Sequence, residues 1–176
     1  MSCFEMKGGI GSASRIVELD KQAFTLGALV LANFGQKADF IHDRADFSQA
    51  QRQGREQGSI IIVLATDIPM ESRQLKRLCR RMPAALARTG SYLGNGSGDV
   101  VIAFSTACRI PHDPRGDFVP LRAVHEDRMD LLFRAAAESV EESVLSSLLH
   151  AETVTGRGGL TVPSLADLLH QAKGES

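Results

Sequence analysis

Six consecutive apolar residues, Ile60 to Ala65, follow a glycine and a serine in GSIIIVLATD, residues 58 to 67. A mostly β-branched run without alternation reads as a central strand that is apolar on both faces. AFTLGALVLAN (residues 23 to 33) and VVIAFST (residues 100 to 106) read as further buried strands. Helices are available to cover them. One starts at about Ser72 and carries Leu75, Leu78, Cys79, Met82 and Leu86 on one face. Pro83 falls inside that pattern and, lacking an amide donor, is expected to kink or split it. Residues 126 to 152 read as a long amphipathic helix with Leu131, Leu132, Ala135, Val140, Val144, Leu145, Leu148 and Leu149 on its buried side. Ser164 is placed to cap a short closing helix, with Asp167 three residues on. Strands with helices behind them make a layered α/β domain, and 176 residues suit a single one.

Composition narrows the function. The formal net charge is -1, so neither nucleic acid nor an anionic membrane is called for as a partner. No apolar run is long enough to span a bilayer, and the opening MSCFEMKGG shows no secretory signal, which points to the cytoplasm. Cys3, Cys79 and Cys108 are far apart and form no CxxC pair, so they read as reduced thiols. His42, His112, His125, His150 and His170 lack HxH or HxxxH spacing, which argues against a metal site. The glycine-rich GSASR and GNGSGD match neither GxGxxG nor GxxxxGK[ST], so no nucleotide cofactor is expected. Arg73, Lys76, Arg77, Arg80, Arg81 and Arg88 make a basic helix face without interleaved aromatics, read as solvated or as a subunit contact.

The stretch in front of the central strand carries the chemistry. Residues 36 to 58, QKADFIHDRADFSQAQRQGREQG, are polar, mixed in charge and without sustained periodicity, so they are expected to be loose. Long structureless loops inside compact domains usually mark function or processing. A serine hydroxyl is a poor nucleophile near neutral pH unless a base sits beside it. A serine at the start of a new chain has one, because its own α-amino group has a pKa of about 8. A loose tail ending in Gly58, followed by Ser59 at the mouth of a rigid strand, fits a bond that cleaves itself. Taken alone, Gly-Ser before a strand is more often a turn.

Five blocks occur in a telling order: FEMKGGIGSASR at residues 4 to 15, LVLANFG at 29 to 35, GSIIIVLATDIP at 58 to 69, LARTGSYLGNGSGD at 86 to 99 and VVIAFSTA at 100 to 107. Together they resemble the C-terminal half of the L-aminopeptidase D-alanyl-esterase/amidase family, the DmpA group, which includes β-peptidyl aminopeptidases. The resemblance implies an α-β-β-α sandwich of the N-terminal-nucleophile-hydrolase type, here incomplete, and autocatalytic cleavage in front of the nucleophile. It makes residues 36 to 58 a flexible pre-cleavage linker and residues 59 to 176 the nucleophile-bearing chain.

By position, Ser59 is similar to the family's N-terminal nucleophile. Ser97 and Asp99, in NGSGD, match a serine and a carboxylate that assist it, although some relatives carry glutamate in place of Asp99. Asn33 matches an oxyanion-hole amide, worth about 3 to 4 kcal/mol to a transition state. Lys7, in MKGG, matches a lysine near the nucleophile, where an ammonium would favour the neutral, basic form of the new amine. In isolation, Ser97, Asp99 and Asn33 are ordinary turn formers and Lys7 an ordinary surface charge.

The implied activity is release of N-terminal residues from short peptides, amides or esters, without cofactor or metal, by homo-oligomers of processed protomers. Family members carry a long portion before the MKGG block, so the sequence reads as a C-terminal part, with one side of the core expected to be open. The alternative is a catalytically inactive truncated remnant that acts at most as a subunit-association module.

Overall fold

The computed structural model describes residues 1–43, 45–52, 54, 58–113 and 116–172. Two short strands, β1 (Ser2–Cys3) and β2 (Met6–Lys7), form a hairpin that leads into the long β3 (Ile10–Leu19) and β4 (Gln22–Asn33). A second small hairpin, β5 (Ile41–His42) and β6 (Ala45–Asp46), precedes β7 (Ser59–Thr66). Then come α1 (Ser72–Cys79), α2 (Met82–Arg88), β8 (Val100–Ser105) and α3 (Met129–Leu149). The ribbon β9 (Val154–Thr155) and β10 (Thr161–Val162), with α4 (Leu165–Ala172), ends the described chain.

The main sheet has the order β3-β4-β7-β8, antiparallel except for the parallel pair β7–β8, whose crossover runs through α1 and α2. Pro83 does split the predicted helix: it stands at the start of α2, where a missing amide costs nothing. Residues 10 to 19 form a strand that the sequence reading left unassigned, because serines, Arg15 and Glu18 alternate with its few large apolar residues.

One face of this sheet is covered. Leu26, Ala28, Val30 and Ala32 of β4, with Ile60, Ile62 and Leu64 of β7, are at most 5% exposed and pack under the helices. The opposite face is open among the described residues, and Leu29, Ile61, Val100, Ile102 and Phe104 on it are 44 to 54% exposed. β7 is therefore central in strand order, as its composition implies, yet one of its two apolar faces is bare. In the four-layer arrangement implied by the resemblance, that is the face a second sheet would cover.

α3 lies across β3 and β4 at close range. A Cβ on Gly11 would come within 2.0 Å of the Ser143 carbonyl oxygen, so this position of β3 admits only glycine. The helix answers with small residues, Ser139, Ser143 and Ser147, all buried, and the Ser147 hydroxyl bonds back to the Val144 carbonyl at 2.7 Å. Leu131 and Leu149, expected on the buried side, are 45% and 43% exposed; the serine row takes the place nearest the sheet.

A further expectation is corrected. The polar stretch 36 to 58 is not structureless: Lys37–Asp39 form a 3-10 turn, and Phe40 is buried against Phe4, with ring centroids 4.8 Å apart. Phe47 joins that cluster, so two aromatic side chains anchor a segment whose composition is otherwise polar. Residues 44, 53 and 55 to 57 of it lie outside the described residues. The basic face of α1 and α2 is solvated, with Arg73, Lys76, Arg80, Arg81 and Arg88 exposed and Arg77 half-buried, and part of it is also paired within the chain. Arg73 and Arg77 pair with Glu126, Arg88 pairs with Glu141, and the Arg81 guanidinium sits 4.5 Å from the Phe133 ring centre. Among the described residues no helix is long and apolar enough to cross a membrane.

Candidate active site

The N-terminal end of β7 gathers most of the residues singled out from sequence. Asn33 is the last residue of β4 and stands directly opposite Ser59, the first of β7. Opposed residues of an antiparallel pair project from the same face, with Cβ atoms about 4.5 to 5.5 Å apart. That face is the open one, since Ser59 alternates with the buried Ile60. On the other side of β7, a parallel bridge joins Gly58 to Ser97, in the glycine-rich loop that leads into β8. The topology thus brings Asn33 and the NGSGD loop to the two flanks of one serine.

The Ser59 hydroxyl donates to the carbonyl oxygen of Gly58 at 2.6 Å. The same oxygen accepts the Gly98 amide at 3.2 Å. Gly58 has no room for a side chain, because a Cβ there would meet the Asn33 carbonyl oxygen at 2.5 Å and Phe34 Cα at 2.8 Å. Ser97 donates its hydroxyl to Asp99 Oδ1 at 2.6 Å, and its amide bonds to the Gly94 carbonyl at 2.8 Å. Ser59, Ser97 and Asp99 are all half-buried, reachable from the open sheet face yet fixed by these bonds.

Asn33 Oδ1 accepts the Ser2 amide at 3.0 Å, which leaves the side-chain NH2 of Asn33 as its remaining donor group. Ser2 pairs with Lys7 in the first hairpin. Lys7 itself is half-buried, with its ammonium donating to the Gly8 carbonyl at 2.6 Å. It therefore stands directly across the hairpin from Ser2, the residue that holds Asn33, and its ammonium hydrogen-bonds within its own turn. Sequence reasoning missed Ser2 and Gly98. Ser2 carries no signal of its own, whereas Gly98 was visible as the residue flanked by the two polar candidates Ser97 and Asp99.

The profile of peptidase family S58 matches residues 1–162. The chain belongs to peptidase family S58. Within that family, the chain is 37% identical over 184 aligned residues to the β-peptidyl aminopeptidase BapA of Sphingosinicella microcystinivorans, covering 94% of this chain and 46% of that protein. Among solved structures, a Pyrococcus horikoshii protein superimposes with a TM-score of 0.84 at 43% identity, over 100% of this chain and 50% of that one. The L-aminopeptidase D-Ala-esterase/amidase of Ochrobactrum anthropi, a serine aminopeptidase with a variant of the Ntn-hydrolase fold, gives 0.82 at 38% identity, over 99% and 51%. This S58 chain shares that fold and spans about half the length of the relatives it matches.

Proposed function

We propose that this chain forms the nucleophile-bearing part of a self-processing serine aminopeptidase. The observation that carries the reading is the Ser59 hydroxyl held 2.6 Å from the carbonyl oxygen of the peptide bond in front of it. Family membership and the named activities of the relatives support it.

In the first step Ser59 Oγ attacks the Gly58 carbonyl carbon. The Gly58 C–Ser59 N bond breaks, the hydroxyl proton ends on the Ser59 nitrogen, and Gly58 becomes an ester on Ser59 Oγ. Water then hydrolyses that ester, releasing a Gly58 carboxylate and leaving Ser59 with a free hydroxyl and a free α-amine. An amine with a pKa of about 8 can take a proton near neutral pH, so the new N-terminus serves as its own general base. In turnover Ser59 attacks the acyl carbonyl of a short peptide, amide or ester. The Asn33 NH2 receives the oxyanion, the amine or alcohol leaves, and water releases the acyl group. Ser97 and Asp99 hold and relay protons beside the nucleophile, and Lys7 sets the local positive charge. Processed protomers assemble with copies of themselves.

Intact-mass spectrometry after incubation near pH 8 tests the reading. A fragment running from Ser59 to Ser176 is expected from the wild-type chain and none from Ser59→Ala. A Ser59→Ala chain that still cuts at this bond would remove Ser59 from the role.

A further inference from the structure

Among the described residues the Gly58 carbonyl oxygen has two donors, and only one of them survives the reaction. The Ser59 hydroxyl gives up its proton when it attacks, so its 2.6 Å bond to that oxygen is lost as charge builds there. The Gly98 amide, at 3.2 Å on the same oxygen, remains. We infer that the backbone N–H of Gly98 is the oxyanion donor for self-cleavage of the Gly58–Ser59 bond. The inference rests on the reading of Ser59 as the self-cleaving nucleophile and assigns a different group to a different part of the step.

Preorganisation is what gives such a donor its effect: it must be in place before charge develops, so that nothing reorganises during the reaction. The loop satisfies that condition. The Gly58–Ser97 bridge fixes its register against the scissile bond. The Ser97 amide is tied to the Gly94 carbonyl at 2.8 Å, and the Ser97 hydroxyl to Asp99 at 2.6 Å, on either side of the amide concerned. Ser97 and Asp99 thereby act as positioning residues for the cleavage step. The absence of a side chain at 98 matters too. A Cβ there would stand 3.3 Å from Ser59 Oγ, crowding the hydroxyl as it turns from the carbonyl oxygen towards the carbonyl carbon.

A backbone donor calls for a backbone substitution. Cys79 and Cys108 flank residue 98, so a synthetic segment 79–107 ligated at these two native cysteines can carry glycolate in place of Gly98, exchanging N–H for oxygen. Glycolate at Gly96, in the same loop, is the control. Cleavage is followed by intact mass near pH 8. The expected result is a slowing of at least about 100-fold for glycolate at 98, with the control cutting at the wild-type rate.

Equal rates for glycolate at 98 and wild type would overturn the inference while leaving Ser59 in its role. So would equal slowing by glycolate at 96 and at 98, which would reflect the loop rather than the donor. A wild-type chain that never cuts would remove the reading underneath. A second readout does not depend on the ligated protein folding: a through-hydrogen-bond scalar coupling between the Gly98 nitrogen and the Gly58 carbonyl carbon, measured by NMR on Ser59→Ala. Its absence would also overturn the inference.

Discussion

Asn33 faces Ser59 across the last register position of β4 and β7, and its Oδ1 is held by the Ser2 amide at 3.0 Å. An amide N–H can only donate, so the oxygen of the carboxamide must point to Ser2 and the NH2 elsewhere. This separates two roles of one side chain. Asn33→Asp keeps an acceptor for Ser2 but loses the donor, whereas Asn33→Ala loses both. Both variants should lower kcat for hydrolysis of an amino-acid p-nitroanilide by about 10²- to 10³-fold. Only Asn33→Ala should also lower the urea midpoint, because it leaves the Ser2 amide without its partner. Unchanged kcat in Asn33→Asp would remove Asn33 from the oxyanion role.

Gly58 is constrained by packing as well as by chemistry. Its Cβ would press on the Asn33 carbonyl and the Phe34 backbone, neither of which can move without opening the β4–β7 ladder. Gly58→Ala should destabilise the chain by about 1 to 3 kcal/mol, the usual range for overpacking, measured by urea unfolding in a Ser59→Ala background, which the proposed mechanism leaves uncut. It should slow cleavage as well, because the carbonyl moves with the displaced backbone. A variant of wild-type stability would show that the start of β7 is free to shift.

What could be read from the sequence follows from which forces act locally. The β7 run, the break at Pro83 and the Ser164 cap, whose hydroxyl accepts the Asp167 amide at 3.1 Å, are short-range features and were legible. The serine row of α3 was not. Serines at 139, 143 and 147 look like a solvated stripe, and they are buried only because Gly11 lets the helix come down onto the strands. Phe40 and Phe47 were hidden in the same way inside a polar segment, since only the fold brings Phe4, itself packed on Phe34, against Phe40, which Phe47 then joins. Ser59, Ser97, Asp99 and Asn33, which the fold brings to one end of β7, were singled out through the ordered motifs. The Gly98 amide belongs to the backbone, and no side-chain pattern encodes it.

Glu126 links α1 to the start of α3, and its carboxyl is held at about 2 by a hydrogen bond from Arg73, then by Gln74, with the charges of Arg73 and Arg77 adding. A folded value below the ordinary 4.5 means that the unfolded chain binds the proton more readily. The stabilisation is therefore complete above about 4.5 and is lost as pH falls through about 2. Glu126→Gln should lower the urea midpoint at pH 7, and the gap from wild type should close across that acid window. Added salt should narrow it as well, because these groups are exposed. A gap independent of pH would mean that Glu126 acts by shape and not by charge.

The three thiols offer a check on the packing of the first hairpin. Cys3 is fully buried, and burial pushes its thiol up to about 12, against the smaller opposing effect of a backbone hydrogen bond at Phe34. Its folded value exceeds the ordinary 9.0, so its contribution to stability is complete below about 9 and is lost as pH rises through about 12. Cys79 is half-buried and its thiol is also raised by burial, whereas Cys108 lies on the long connection after β8 and donates to the Arg122 carbonyl at 3.3 Å. The thiolate is the reactive form, so iodoacetamide at pH 8 should label Cys108 first and Cys79 more slowly. Cys3 should stay unlabelled until urea unfolds the chain. Early labelling of Cys3 would show that the hairpin carrying Ser2 and Lys7 opens on its own, and with it the support of Asn33.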